Sequence, residues 1–259
     1  MAIAISNLTY GDSGVGGGTS FSSSSISPSS NALVLLSVSS RTGISTDPNI
    51  PTVTGNGLTW VQVATLVFDT TSSSRRRLTV FRAMGASPSS GAVTVDFAGQ
   101  TQTDYSYAVD QSTGTDTTGT NGSGAIVQSV SNSDESGSAS SITATLAAFS
   151  NASNATFGAF AEAATFGFTV GSGFTLLGAA TGSADTGITC NTEYKLSNDT
   201  TVDGSWSGAG EIGCIAIEIK APSAGSLIKT VNGLAIASVK SVNGLAIASV
   251  KTINDLTNV

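Results

Sequence analysis

The sequence predicts an all-β protein, an antiparallel two-sheet jelly-roll sandwich with a short C-terminal β-repeat tail. Three observations carry that reading. Short apolar or alternating runs recur from Ala32 onward, broken by turn-forming residues at the spacing expected of a sandwich or barrel. Helical periodicity is hard to find, so there are too few helices for βαβ crossovers and the strands must pair as meanders or Greek keys. The last few dozen residues repeat with a period of 11.

A folded core is expected because hydrophobic residues make up 39% of the 259 and mean hydropathy is +0.21, whereas disordered chains combine low hydrophobicity with high net charge. The chain carries 42 serines, 34 threonines and 30 glycines but no histidine. That absence removes Ser-His-Asp and Cys-His catalysis, His-ligated zinc and an imidazole pH switch together.

Strands are predicted at 32–39, 57–65, 76–83, 92–98, 105–111, 125–131, 141–149, 156–163, 175–179, 188–195, 201–206 and 212–220. The clearest is Val93, Val95 and Phe97 alternating with Thr94, Asp96 and Ala98, which needs one buried and one wet face. The expected core draws on Leu33, Leu35, Trp60, Val80, Phe81, Val95, Phe97, Leu146, Phe157, Phe160, Phe174, Ile215 and Ile217. Alternation puts Cys190 on an inward row and Cys214 on the opposite row, which disfavours a disulfide.

Residues 1–222 are read as the sandwich and 223–259 as a separate tail, because composition changes after Lys220 at a Pro/Gly/Ser stretch. Lys229, Lys240 and Lys251 mark the repeat. An 11-residue period suits a right-handed helical supercoil, but a glycine in each full repeat costs about 1 kcal/mol in a helix interior. Asn232-Gly233 and Asn243-Gly244 read instead as turns between short extended segments. So few repeats cannot bury their own apolar rows. Ile228, Val231, Leu234, Ile236, Val239, Val242, Leu245, Ile247, Val250, Ile253 and Leu256 are therefore the predicted assembly interface, covered by other chains.

Formal net charge is −7 and the pI is near 4.3, the wrong sign for neutralising a phosphate backbone, so no nucleic acid is expected. Arg75, Arg76 and Arg77 form the basic cluster, read as guarding a sheet edge or, alternatively, docking an acidic partner. No stretch of 18 or more apolar residues predicts a membrane helix, and the amino terminus lacks the pattern of a signal peptide. Gly11 to Gly18 opens no helix and lacks the Gly-Lys-Ser/Thr ending of a phosphate loop. Glu193, Glu211, Asp199, Asp203 and the Asp134-Glu135 pair form no compact acidic motif for glycoside hydrolysis or calcium. No catalytic residue, metal site or cofactor is predicted. Among the aromatic residues Trp60, Trp206, Tyr10, Tyr105, Tyr107 and Tyr194, Trp60 is expected in the core. Trp206, flanked by Ser205, Ser207 and Gly208, is the candidate for an exposed glycan platform.

The stretches Asn31-Ala-Leu-Val-Leu-Leu-Ser-Val, Gly55-Asn-Gly-Leu-Thr-Trp-Val, Leu78-Thr-Val-Phe-Arg-Ala-Met-Gly, Ser197-Asn-Asp-Thr-Thr-Val-Asp and Ile215-Ala-Ile-Glu-Ile resemble a jelly-roll module of tailed-bacteriophage virion proteins. The Val-Asn-Gly-Leu-Ala-Ile-Ala-Ser-Val-Lys repeat is similar to repeats of phage structural proteins. The resemblance implies a non-enzymatic protein on the virion surface, made in the bacterial cytoplasm: a head decoration, capsid fibre or tail-fibre component. Its implied partners are itself, as a trimer, and other virion proteins. The alternative is a carbohydrate-binding adhesin module that meets host-surface glycans through aromatic platforms such as Trp206.

Overall fold

The computed structural model describes residues 2–13, 16–70, 73–181 and 187–222, together with the backbone of six short strands between 230 and 257. The chain divides into two compact units, Met1–Ala221 and Pro222–Val259. Fourteen strands are described in the first: β1 (Ala4–Asp12), β2 (Ser20–Ser22), β3 (Leu33–Arg41), β4 (Thr52–Gly55), β5 (Val61–Asp69), β6 (Arg76–Ala83), β7 (Val93–Asp96), β8 (Asp104–Thr113), β9 (Ile126–Thr145), β10 (Ala155–Glu162), β11 (Phe168–Val170), β12 (Thr175–Thr181), β13 (Thr189–Lys195) and β14 (Thr201–Ile219). All pair antiparallel.

The all-β antiparallel sandwich is therefore as the alternation predicts, but its layering differs. Three sheets form, not two: β1-β8-β3-β6-β5, the small β2-β7-β4, and β11-β14-β10-β13-β12 with β9 on the free side of β14. Strands from the first half of the chain make the first two sheets and strands from the second half make the third. Within the first half the chain does alternate between two sheets, β1-β8-β3-β6 in one and β2-β7-β4 in the other, with β5 joined to β6; what the two-sheet jelly-roll expectation lacks is the third sheet.

The physical reason lies in β3. Leu33 and Leu35 point into a core shared with Phe157, Ala159, Ile215 and Ile217 of the third sheet. Val34, Leu36 and Val38 point the other way, into a core with Phe21, Val93, Val95 and Phe97 around the small sheet. A strand apolar at consecutive positions demands cover on both faces, and a third layer supplies it. Full burial of each such side chain contributes roughly 1.5–3 kcal/mol.

A further core forms because β9 and β14 fold back over the outer face of their own sheet. Residues 126–134 of β9 pair with 212–219 of β14, and 141–145 pair with 201–205, with register shifts between the two stretches. Asn132 Nδ2 donates to the Thr143 carbonyl at 2.8 Å, and Gln128 Nε2 to the Ala147 carbonyl at 3.0 Å, so the two halves of β9 face each other. Gly137, at φ +68°, occupies the left-handed backbone this reversal requires. Ile142, Ala144, Val202 and Trp206 of the folded-over halves enclose Phe160, Ile212, Cys214 and Ala216.

Cys190 belongs to the core between the large sheets and Cys214 to the fold-back core, so the opposite faces read from alternation are observed and both thiols are free. Burial pushes both thiols up, Cys214 to about 12.

Candidate assembly interface

The tail builds one small hairpin per repeat. Strand β15 (Thr230–Val231) pairs with β16 (Leu234–Ala235), β17 (Ser241–Val242) with β18 (Leu245–Ala246), and β19 (Thr252–Ile253) with β20 (Leu256–Thr257). In register, Val231 stands opposite Leu234, Val242 opposite Leu245 and Ile253 opposite Leu256. Two residues separate the strands in each case, Asn-Gly twice and Asn-Asp once. Asn-Gly is the strongest short-range hairpin signal because both residues tolerate the positive φ that a two-residue loop imposes. Extended segments flank these pairs, as the sequence predicts, and the helical alternative fails at these positions.

Six of the predicted interface residues, Val231, Leu234, Val242, Leu245, Ile253 and Leu256, thus occupy equivalent cross-strand positions in successive hairpins. Ile228, Ile236, Val239, Ile247 and Val250 lie outside the described residues. A lone two-stranded hairpin is marginally stable at best in water.

The end of the first unit is clamped. Strand β14 lies between β9 and β10, so it is interior to its sheet. Beyond it, Lys220 Nζ pairs with Asp116 Oδ2 at 2.8 Å, and the Asp116 amide donates to the Lys220 carbonyl at 3.0 Å. The Lys220 amide donates to the Ala125 carbonyl at 2.9 Å, and the Ala221 amide to Asn154 Oδ1 at 2.9 Å. Asn154 Nδ2 and Gln128 Nε2 each donate to the buried Glu218 carboxylate at 2.5 Å. Hydrogen bonds from Lys220 and Thr118 hold the Asp116 carboxyl down at about 2. Sequence reading missed this clamp because its members are scattered from Asp116 to Ala221, and only the fold collects them.

Other candidates resolve differently. Trp206 is only 5% exposed, which corrects its assignment as a glycan platform. Its ring meets Phe168 edge-on at 5.3 Å and Phe160 at 6.3 Å between centroids. The small neighbours that suggested exposure serve packing instead. A Cβ on Gly204 would lie 2.5 Å from the Phe168 ring, and one on Gly208 would lie 2.5 Å from Phe166. Trp60, expected in the core, is half-buried against the small-sheet core.

The arginines guard no edge, since β6 runs between β3 and β5. Arg75 pairs with Asp47 at 3.5 Å, and Arg76 is buried against Asp69, which stands opposite it in β5. Arg77 donates through Nε to the Pro48 carbonyl at 2.7 Å and through Nη1 to Thr65 Oγ1 at 3.1 Å. All three engage groups of the protein itself.

The acids are dispersed. Asp199 pairs with Lys195 at 2.7 Å, and Glu193 accepts the Gly171 amide at 3.0 Å. Among the described residues no three His, Cys, Asp or Glu side chains gather where a metal ion could sit. Sequence reading passed over Glu162 and Asp110, both buried; the available signal was an acid inside an apolar strand, Phe160-Ala-Glu-Ala. Burial pushes Glu162 up to about 7, Asp110 to about 7 and Glu193 to about 8.

No family model, no curated protein and no solved structure matches this chain.

Proposed function

We propose that this is a non-enzymatic structural protein of a bacteriophage virion exterior, a head decoration, head fibre or tail-fibre component, which assembles through its C-terminal repeats. The single observation that carries the proposal is the tail's three successive hairpins, each setting one aliphatic residue opposite another at the same register position. A hairpin with strands of two residues has a minimal ladder of its own, and its strand edges are open to partners. Neighbouring copies supply those partners by adding strands, and a trimer is the symmetric assembly we favour.

The clamp at Asp116, Asn154 and Lys220 supports the same reading. Any pull on the tail arrives at an interior strand that is hydrogen-bonded on both sides and pinned by an ion pair, the arrangement suited to an anchored subunit. The phage assignment itself rests on the resemblance of the repeats and strand motifs.

The test is removal of residues 223–259 followed by incorporation into particles. The shortened protein is expected to fold, remain monomeric and be absent from purified particles. Normal incorporation without the tail would refute assembly through the repeats.

A further inference from the structure

The outer face of the third sheet carries an unusual set of buried polar atoms. On β13, Thr189, Asn191 and Glu193 alternate along one face, and on β10 Gly158, Phe160 and Glu162 do the same. Gly158 is opposite Glu193 and Phe160 opposite Asn191, so the two rows lie side by side. Thr189 Oγ1, both amide atoms of Asn191, both carboxylate oxygens of Glu162, Glu193 Oε1 and Trp206 Nε1 are buried without a hydrogen-bond partner. Native interiors contain few such atoms, and each one calls for an explanation.

The groups on β10 and β13 lie beneath the folded-over halves of β9 and β14, to which Trp206 itself belongs. A Cβ on Gly158 would meet Val202 at 2.8 Å, and one on Gly204 would meet Phe160 at 3.1 Å. Residues 202–204 therefore lie directly over β10. Glu162 sits under the bend of β14, where a Cβ on Gly210 would come within 3.5 Å of its carboxylate. Glu193 reaches Gly171, beside which Asp203 packs.

We infer that the folded-over halves of β9 and β14 form a proton-dependent flap, closed over the third sheet while Glu162 and Glu193 are neutral and released when they ionise. A neutral carboxyl under this layer costs far less than an unpaired buried carboxylate. Among the described residues no unpaired cation on the facing elements offsets the charge; the Gly171 amide, which donates to Glu193 at 3.0 Å, favours the charged form only in part. From β14 come the acids Asp203 and Glu211 and the thiol of Cys214; Asp203 pushes Glu193 further up. From β13, Lys195 is bound to Asp199 at 2.7 Å and lies over the Phe174 ring. From β9, Asp134 accepts from Ser136, and Glu135 accepts from the Thr70 amide and hydroxyl. Glu218 is held by Asn154 and Gln128. The Phe166 amide favours the charged form of Glu162, but burial outweighs it, and neither oxygen has an aligned hydrogen bond.

The sign follows from the raised values. The flap-closed state keeps its protons up to about 7 at Glu162 and about 8 at Glu193, whereas an exposed glutamate loses its proton near 4.5. Closure is therefore strongest below that ordinary value, weakens as pH rises, and has lost the full contribution above about 8. Hinges are present where the flap needs them, at Gly137 with its positive φ and at the register shift around Gly210.

The test is amide hydrogen exchange of the full-length protein between pH 6 and 9, corrected for the intrinsic rate, with β3 as internal reference. That reference is needed because Asp110, raised to about 7 between the large sheets, gives the whole body a pH dependence of the same sign. Protection of residues 139–145 and 201–206 should fall at least about tenfold more than that of β3. The double variant Glu162→Gln, Glu193→Gln should remove this difference. In a Trp60→Phe background, Trp206 emission should become quenchable by acrylamide over the same pH range. Parallel loss of protection in the flap and β3 of the wild-type protein would overturn the inference, and so would an unchanged difference in the double variant.

Discussion

In the first unit, Leu33, Val34, Leu35 and Leu36 follow one another along β3 and all four are at most 2% exposed, because a sheet covers each face of the strand. In the tail, Val231 and Leu234 stand opposite each other in strands only two residues long. The tail is no less apolar than the body; what differs is where along the chain the covering layer lies. β3 is covered on one face by strands more than a hundred residues away and on the other by the small sheet, whose strands come from both sides of it in the sequence, whereas each repeat has only another copy of itself nearby. On our proposal, the stability that the body finds within one chain the repeats find by association.

Each prediction that follows would break or sharpen that contrast. The largest effect is expected from replacing Val231, Leu234, Val242 and Leu245 together by serine. Oligomers should dissociate while thermal melting of the body stays as in the wild type, read by sedimentation and calorimetry. The converse variant, Phe157→Ala, empties a fully buried site between the large sheets and should cost about 3–5 kcal/mol of body stability in urea unfolding. Oligomer mass should be unaffected below the transition. If the tail variant instead destabilised the body, the two regions would not be independent.

Gly204→Ala should cost about 1–3 kcal/mol, because the added Cβ would lie 2.5 Å from one aromatic ring and 3.1 Å from another. A neutral effect would show that the fold-back layer yields. The smallest effect belongs to the clamp. Asp116→Ala should cost about 0–1 kcal/mol, since Lys220 is 43% exposed and solvent screens the pair. Asp116 is held below its ordinary 3.8, so its contribution is present above that value and is lost as pH falls through about 2. The variant should therefore match the wild type in acid titrations below that point.

The sequence revealed most longer strands that keep one environment along their length, while the short β2, β4 and β11 went unread. Strand β6 is read from 76 to 83, the observed bounds Arg76–Ala83, and the Val93-Thr-Val-Asp alternation marks β7 correctly. It failed where a strand changes environment along its length. β9 and β14 each read as two strands, because Gly137 and the glycines from Gly208 to Gly210 look like breaks, whereas the chain continues through them and folds back. β1 went unread because its nine residues are half-buried at best and show no strong apolar row. Trp206 was misjudged for a related reason. Small residues beside an aromatic ring signal exposure in a loop but close packing in a layered sheet, and local sequence does not distinguish the two. The tail was legible in its turns, since Asn-Gly acts through its own backbone; the clamp depended on contacts spanning a hundred residues.

The central claim, that the repeats hold copies of this chain together, is tested most directly by the sedimentation mass of the intact protein beside that of residues 1–222. The account predicts a closed oligomer, three chains in our assignment, for the former and a single folded chain for the latter. A monomeric intact protein, or an oligomer that survives removal of the tail, would contradict it.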